Sequence, residues 1–220
     1  MNNKKFKIYL CDLTYDTIIL VSDTIPINIG IIGAYLDHHL KDKVEISLFK
    51  YPNDVMDQIE KDPPDLIGFS NYSWNSNLSE HVAGFAKKIK KDTIVIQGGT
   101  NFPHQPEEQE KFLKMRPNTD VYTLYEGEKA SLKIIERIFE NLNNKKNIFN
   151  DPIDGCGFIH PITKKYVTGK FIERIKDLDE LPSPYLNGML DKFFDGRLIP
   201  FLETNRGCPF TCSFCHTGSK

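Results

Sequence analysis

Three observations predict a doubly wound α/β domain. Short apolar strands alternate with amphipathic helices through the first 142 residues. Two strands, Asp65–Ser70 and Thr93–Gln97, read as apolar runs without polar alternation, the pattern of a strand covered on both faces. The unusual residues, namely glycines, amides and aromatics, collect just after the strands rather than within them. Alternation of this kind requires a parallel sheet with helices on both faces and right-handed crossovers.

The elements follow in order. Phe6–Leu13 is the first strand and leads into Ser22-Asp23-Thr24-Ile25-Pro26. Asn28–Leu40 is a helix with Ile29, Ile32, Leu36 and Leu40 on one side. Val44–Phe49 is a strand near an edge, since it alternates apolar with polar residues. Pro52–Lys61 is a helix with Val55, Met56 and Ile59 inward. Asp65–Ser70 is a strand, and Asn77-Leu78-Ser79-Glu80 fits a capping box for a helix carrying Leu78, Val82, Phe85 and Ile89. Thr93–Gln97 is the fourth strand, Glu107–Met115 a helix and Val121–Tyr125 the fifth strand. Ala130–Leu142 is the last helix, with Leu132, Ile135, Phe139 and Leu142 inward. Five strands and five helices suit the flavodoxin-like strand order 2-1-3-4-5.

The polar stretch 143–150 ends this domain, which spans residues 1–143. Residues 144–197 form a linker in which 157–161 and 165–168 pair as a hairpin and 176–185 is a proline-stiffened connector. Residues 198–220 begin a second domain, with Leu198–Thr204 as its first strand and the cysteine-bearing stretch as the loop behind it.

Composition excludes several classes. The formal charge is −2 with 28 basic and 30 acidic residues, so no basic excess marks a nucleic-acid surface. No apolar run is long enough to span a membrane, and no secretory core follows Met1. Cys11 and Cys156 are isolated and read as reduced, buried thiols of a cytoplasmic protein.

In doubly wound sheets, ligands bind beyond the carboxyl ends of the strands. The residues found there are Thr24, Pro26 and Gly30 after the first strand, and Ser70, Asn71, Tyr72, Trp74 and Asn75 after the third. Gly98, Gly99 and Asn101 follow the fourth, and Tyr125, Glu126, Gly127 and Glu128 the fifth. Such a rim suits a large, flat, amide-bearing ligand: glycines admit close backbone approach, asparagines pair with carboxamides, and aromatics stack. The absence of a G-x-G-x-x-G or a G-x-x-x-x-G-K-[ST] motif argues against a dinucleotide or a triphosphate. Plainer readings stand beside this one. Gly98 and Gly99 terminate a strand, Trp74 is a packed core aromatic, and Glu126 and Glu128 complement a helix dipole.

Cys208, Cys212 and Cys215 lie at C-x-x-x-C-x-x-C spacing. Three thiolates in so short a loop can converge on one iron–sulfur cubane and leave its fourth iron open to a ligand. A Cys₃His zinc site that includes His216 is the alternative, although adjacent Cys215 and His216 make a poor tetrahedral pair. An odd total of 5 cysteines argues against a disulfide framework.

This run, with Arg206-Gly207-Cys208-Pro209 before it and Phe214 ahead of the last cysteine, resembles the signature of the radical S-adenosylmethionine (SAM) superfamily. The rim segments 70–75, 98–103 and 125–128 are similar to those of the cobalamin-binding domain found ahead of radical SAM barrels, with Thr100 where that family often has proline. The resemblance implies a [4Fe-4S] cluster on Cys208, Cys212 and Cys215, SAM on the open iron with Phe214 beside its adenine, and cobalamin on the rim. It implies an enzyme, with methyl transfer to an unactivated carbon or phosphorus centre as its reaction, a small-molecule substrate and an external electron donor. The Asp-x-His-x-x-Gly element of the methionine synthase type is missing, so His38, His39, His81 and His104 are not expected to ligate cobalt. Five residues follow Cys215, whereas a β/α barrel takes on the order of 200 residues, so the chain is expected to be a truncated portion without turnover of its own. Two rival readings remain: a radical SAM enzyme whose flavodoxin-like domain binds no cobalamin, and a non-catalytic module with a zinc knuckle.

Overall fold

The computed structural model describes residues 5–16, 22–142, 147–208, 210 and 212. Its centre is a sheet in the order β2-β1-β3-β4-β5-β6-β7. The strands are β1 (Phe6–Cys11), β2 (Val44–Phe49), β3 (Leu66–Ser70), β4 (Ile94–Gly98), β5 (Val121–Thr123), β6 (Cys156–Ile159) and β7 (Tyr166–Thr168). The first five are parallel, in the expected order. The helices are α1 (Ile27–Leu40), α2 (Pro52–Lys61), α3 (Ser76–Ile89), α4 (Pro106–Lys114) and α5 (Gly127–Glu140).

Period-two alternation splits each inner strand between two cores. Ile8, Leu10, Leu66 and Ile96 face one way and join residues of α1 and α5 in one cluster. Tyr9, Cys11, Ile67, Phe69 and Val95 face the other way and join Val55 and Ile59 of α2 and Val82, Ala83 and Ala86 of α3. A smaller cluster of Phe102, Leu113 and Tyr122 lies under α4.

Five strands were expected, and among the described residues the sheet has seven. The hairpin forms as expected, but β6 also pairs antiparallel with β5, so it extends the sheet rather than standing apart in a linker. The cause is burial: Cys156 and Phe158 are fully covered in the larger core, and that face needs a sheet beneath it. Leu198–Thr204 is not a strand. Ile199 instead makes a parallel bridge to Thr24, donating to Asp23 O at 2.7 Å and accepting from Ile25 N at 2.9 Å. The segment thus returns to the loop after β1.

The expected capping box does not form. α3 begins at Ser76, with no side-chain bond from the preceding Asn75, and Glu80 instead accepts from the Asn118 backbone at 3.0 Å. The inward faces of α3 and α5 match in part: Val82 and Ile135 are buried as expected, and Leu78, Phe85, Leu132 and Phe139 flank the cores, but the ends of the predicted stripes do not match. Ile89 and Leu142 are exposed, while Ser79, Val82, Ala83 and Ala86, and Ala130, Ser131, Ile134 and Ile138, are buried. Small side chains let a helix sit closest to the sheet, so Ala and Ser mark the contact line and larger residues flank it.

Candidate functional site

A cleft of about 980 Å³ opens at the carboxyl ends of β1, β3, β4 and β5. Its floor runs down between the sheet and helices α1 and α5, along Leu10, Gly68 and Ile96, which are register neighbours on one sheet face. Gly68 leaves this floor low, and an added Cβ would stand 2.9 Å from Leu10 and 3.0 Å from Ile96. Glycine inside a strand marks places where something else must come close. Asn28, Ile29 and Ile32 of α1 and Ser131 of α5 form the opposite side.

Several predicted residues meet at this cleft. Ser70, Tyr72, Gly98, Gly99, Tyr125, Glu126 and Gly127 all line it. Ser70 Oγ donates to Asp12 Oδ1. Tyr72 accepts from Asn28 Nδ2 at 3.3 Å, and burial raises its phenol above the ordinary value. Tyr125 holds the left-handed conformation (φ 59°), uncommon for a residue with a side chain, and its ring is 65% exposed with an edge contact to Phe171. Gly99 needs its φ of 125°, and an added Cβ would stand 2.7 Å from Asn71 O, so this glycine serves the turn itself.

Other predicted residues are elsewhere. Asn71 and Asn75 do not present amides to the cleft; both are fully buried. Asn71 donates to Gln97 Oε1 at 2.9 Å and accepts from Asn101 Nδ2 at 3.1 Å, while Asn75 donates to Leu13 O at 3.2 Å and accepts from Tyr72 N at 2.8 Å. Asn71 and Asn101 thus bind the turns after β3 and β4 together, and Asn75 binds the β3 turn to the segment after β1, because buried amides must be paired. Gly30 packs under Leu190, whose Cδ2 would lie 3.0 Å from an added Cβ. Thr24 bridges to Ile199, and Pro26 is buried as the residue that precedes α1. Trp74 is no core aromatic: 46% exposed, it stacks flat on Tyr72 with ring centroids 4.6 Å apart.

The sequence reading missed the second wall. Phe201 to Gly207 and Arg174 also line the cleft, opposite the rim of the sheet. Arg206 turns onto Glu126 and Glu128, with Nη1 3.0 Å from an oxygen of each and Nη2 on the other oxygen of Glu128. Burial alone would lower the arginine's pKa, but hydrogen bonding to Glu128 and the charges of Glu128, Glu203 and Glu126 outweigh it and raise it. Only the adjacency of Arg206 to the cysteine run hinted at this role. Gln97 Nε2, at the end of β4, is buried without a hydrogen-bond partner among the described residues, and Gln97 lines the cleft. An unpaired buried amide donor beside a large cleft fits a ligand carrying carbonyl groups.

Cys208 and Cys212 are exposed and free. Cys215 and Phe214 lie outside the described residues, and among the described residues no three metal-ligating side chains converge. Among those residues too, no helix is long and apolar enough to cross a membrane.

The B12 binding domain family matches residues 17–135, over half of the chain. A 2-(S-pantetheinyl)-carbapenam-3-carboxylate methyltransferase from Streptantibioticus cattleyicolor is 33% identical over 163 residues, 71% of this chain and 22% of that protein. The cobalamin-dependent radical SAM methyltransferase TokK from Streptomyces tokunonensis is 32% identical over 162 residues, again 71% of this chain and 22% of that protein. The chain thus spans about a fifth of the length of these curated relatives. The solved structure of OxsB, a cobalamin-dependent SAM radical enzyme with aqua-cobalamin and SAM bound, superposes with a TM-score of 0.66 at 18% identity. That match covers 96% of this chain and 28% of OxsB, and it shows a shared fold.

Proposed function

The chain belongs to the B12 binding domain family, and from that premise we propose that its strand-end cleft holds cobalamin as the N-terminal part of a radical SAM methyltransferase. The carrying observation is the cleft itself, a large space at the switch point of the sheet. Tyr72, Gly98, Gly99, Tyr125 and Gly127 would meet the corrin and its nucleotide tail, and Gln97 would donate to a ligand carbonyl. Asp37 does stand two positions before His39, but Asp42 occupies the place of the glycine, so the Asp-x-His-x-x-Gly element is missing among the described residues, which supports cobalt without a histidine from this domain.

Cys208, Cys212 and Cys215 would hold a [4Fe-4S] cluster, with Phe214 next to SAM. When bound, the two metal centres supply reductive cleavage of SAM and a methyl-carrying cobalt. The chain's own contribution is to bind and orient. The sheet rim forms one wall of the cleft, and the segment leading to Cys208 forms the other. The substrate is a small molecule, electrons come from an external donor, and the compartment is the cytoplasm in this reading.

The test is retention of hydroxocobalamin. The chain is mixed with excess hydroxocobalamin, gel-filtered, and its corrin absorbance compared with protein concentration. Near-stoichiometric retention is expected. A corrin-free chain that takes up iron and sulfide anaerobically would point to a radical SAM enzyme without cobalamin. Zinc uptake with neither iron nor sulfide would overturn the enzyme reading altogether.

A further inference from the structure

Arg206 is two residues before the first cysteine, yet its guanidinium is committed to the sheet domain. It meets Glu126, which precedes α5, and Glu128 in the first turn of that helix, and Nη2 also lies 3.3 Å from Glu203 on its own segment. Acids at a helix start are ordinary, because they complement the dipole. Ordinary ones sit in water, whereas the side chains here are 6% and 5% exposed beneath an arginine 14% exposed. A guanidinium spread over two buried carboxylates is both strong and directional.

The segment is held at its other end too. Ile199 bridges to Thr24, and Tyr185 Oη donates to Phe201 O at 2.7 Å. Between these anchors, Phe201 to Gly207 cross the mouth of the cleft and line it. Gly207 then turns the chain with φ 79°, where any Cβ would collide with Arg174.

We propose that Glu126 and Glu128 are positioning residues that clamp Arg206, fixing the second wall of the cleft and the start of the cysteine run against the sheet. The clamp also governs how fast a cleft ligand leaves, since release requires this wall to move. That second part rests on the cobalamin reading above; the first does not.

Hydrogen exchange in the ligand-free chain tests the first part with wild type, Arg206→Met, Glu128→Gln and the double variant. Each single change is expected to speed exchange of the hydrogen-bonded anchor amides of Ile25, Ile199 and Phe201 by about tenfold, with the double no faster than the worse single, as coupled partners require. Amides of β3 and β4 should be unaffected, which controls for folding. Arg206→Lys keeps the charge but loses the fork, and is expected to recover part of the protection. Unchanged exchange in the singles, or fully additive effects in the double, would overturn the clamp. Should Glu128→Gln disturb the sheet, the Arg206 variants decide alone, because that side chain lies outside it.

Release of hydroxocobalamin from the same proteins into excess competing corrinoid tests the second part. Loss of the clamp is expected to accelerate release by about tenfold. Equal rates would refute control of the ligand by the clamp. A wild-type chain that never retains corrin would refute the cleft assignment, and the exchange result would still judge the clamp.

Discussion

Lys50 Nζ lies 3.0 Å from Asp12 Oδ2, in a pair withdrawn from water just beyond the ends of β1 and β2. The lysine is 1% exposed and also donates to Ser22 Oγ at 3.2 Å, while Ser70 Oγ donates to the other oxygen of Asp12. Three strand ends are thereby tied at the switch point where the cleft opens. An ion pair this buried adds little net stability when intact, but removing one partner strands the other charge.

Lys50→Met is therefore expected to destabilise the chain by about 3–5 kcal/mol, read from urea unfolding. The pair Lys50→Met with Asp12→Asn should cost less than the sum of the two single changes. Additive losses would show that the groups act separately.

Alkaline pH is expected to weaken the fold through its buried thiols. Burial pushes the Cys156 thiol up to about 12, and Cys11 likewise well above its ordinary value. A raised thiol means that the native chain keeps a proton which the unfolded chain surrenders. The stabilisation is complete below the unfolded value near 9 and is lost as pH rises toward 12. Each of the two groups should contribute a slope of up to about 1.4 kcal/mol per pH unit in that window. Urea midpoints from pH 8 to 11 check this, and Cys156→Ala, though less stable throughout, should show a shallower decline.

The single tryptophan offers a direct optical report. Trp74 lies flat on Tyr72, and Tyr72 lines the cleft. Addition of hydroxocobalamin is expected to quench Trp74 fluorescence strongly, because the corrin absorbs where indole emits. Tyr72→Ala should shift the emission of the free chain to the red, since the ring loses its cover. Unquenched emission at saturating corrin would place the ligand elsewhere.

Much of the sheet was legible because strand burial writes itself into local composition. Val44–Phe49 and Pro52–Lys61 have the bounds that their patterning predicts, and the order of the first five strands follows from alternation and handedness. Helix faces were less legible. A pattern weighted by large apolar residues points at Ile89 and Leu142, whereas contact with the sheet is made by Ala83, Ala86 and Ala130. The rim residues were found as a set but not sorted. Asn71 and Ser70 adjoin in sequence, yet one is spent on Gln97 and Asn101 and the other lines the cleft. Only three-dimensional pairing decides which amide is already satisfied. The second wall was illegible for a different reason: Arg206 and Glu128 are 78 residues apart, and no local pattern encodes so distant a partner.

The bridge between Thr24 and Ile199 turns the intervening chain into a lasso, knotted at the mouth of the cleft. Slack added to the noose itself, in the exposed stretch near Leu186, would cost little, because closure entropy grows only with the logarithm of length. Even one residue spliced between the knot and Arg206 would throw the arginine out of step with its carboxylates. The span from Ile199 to Arg206 therefore acts as a ruler, and its length is the dimension this architecture can least afford to change.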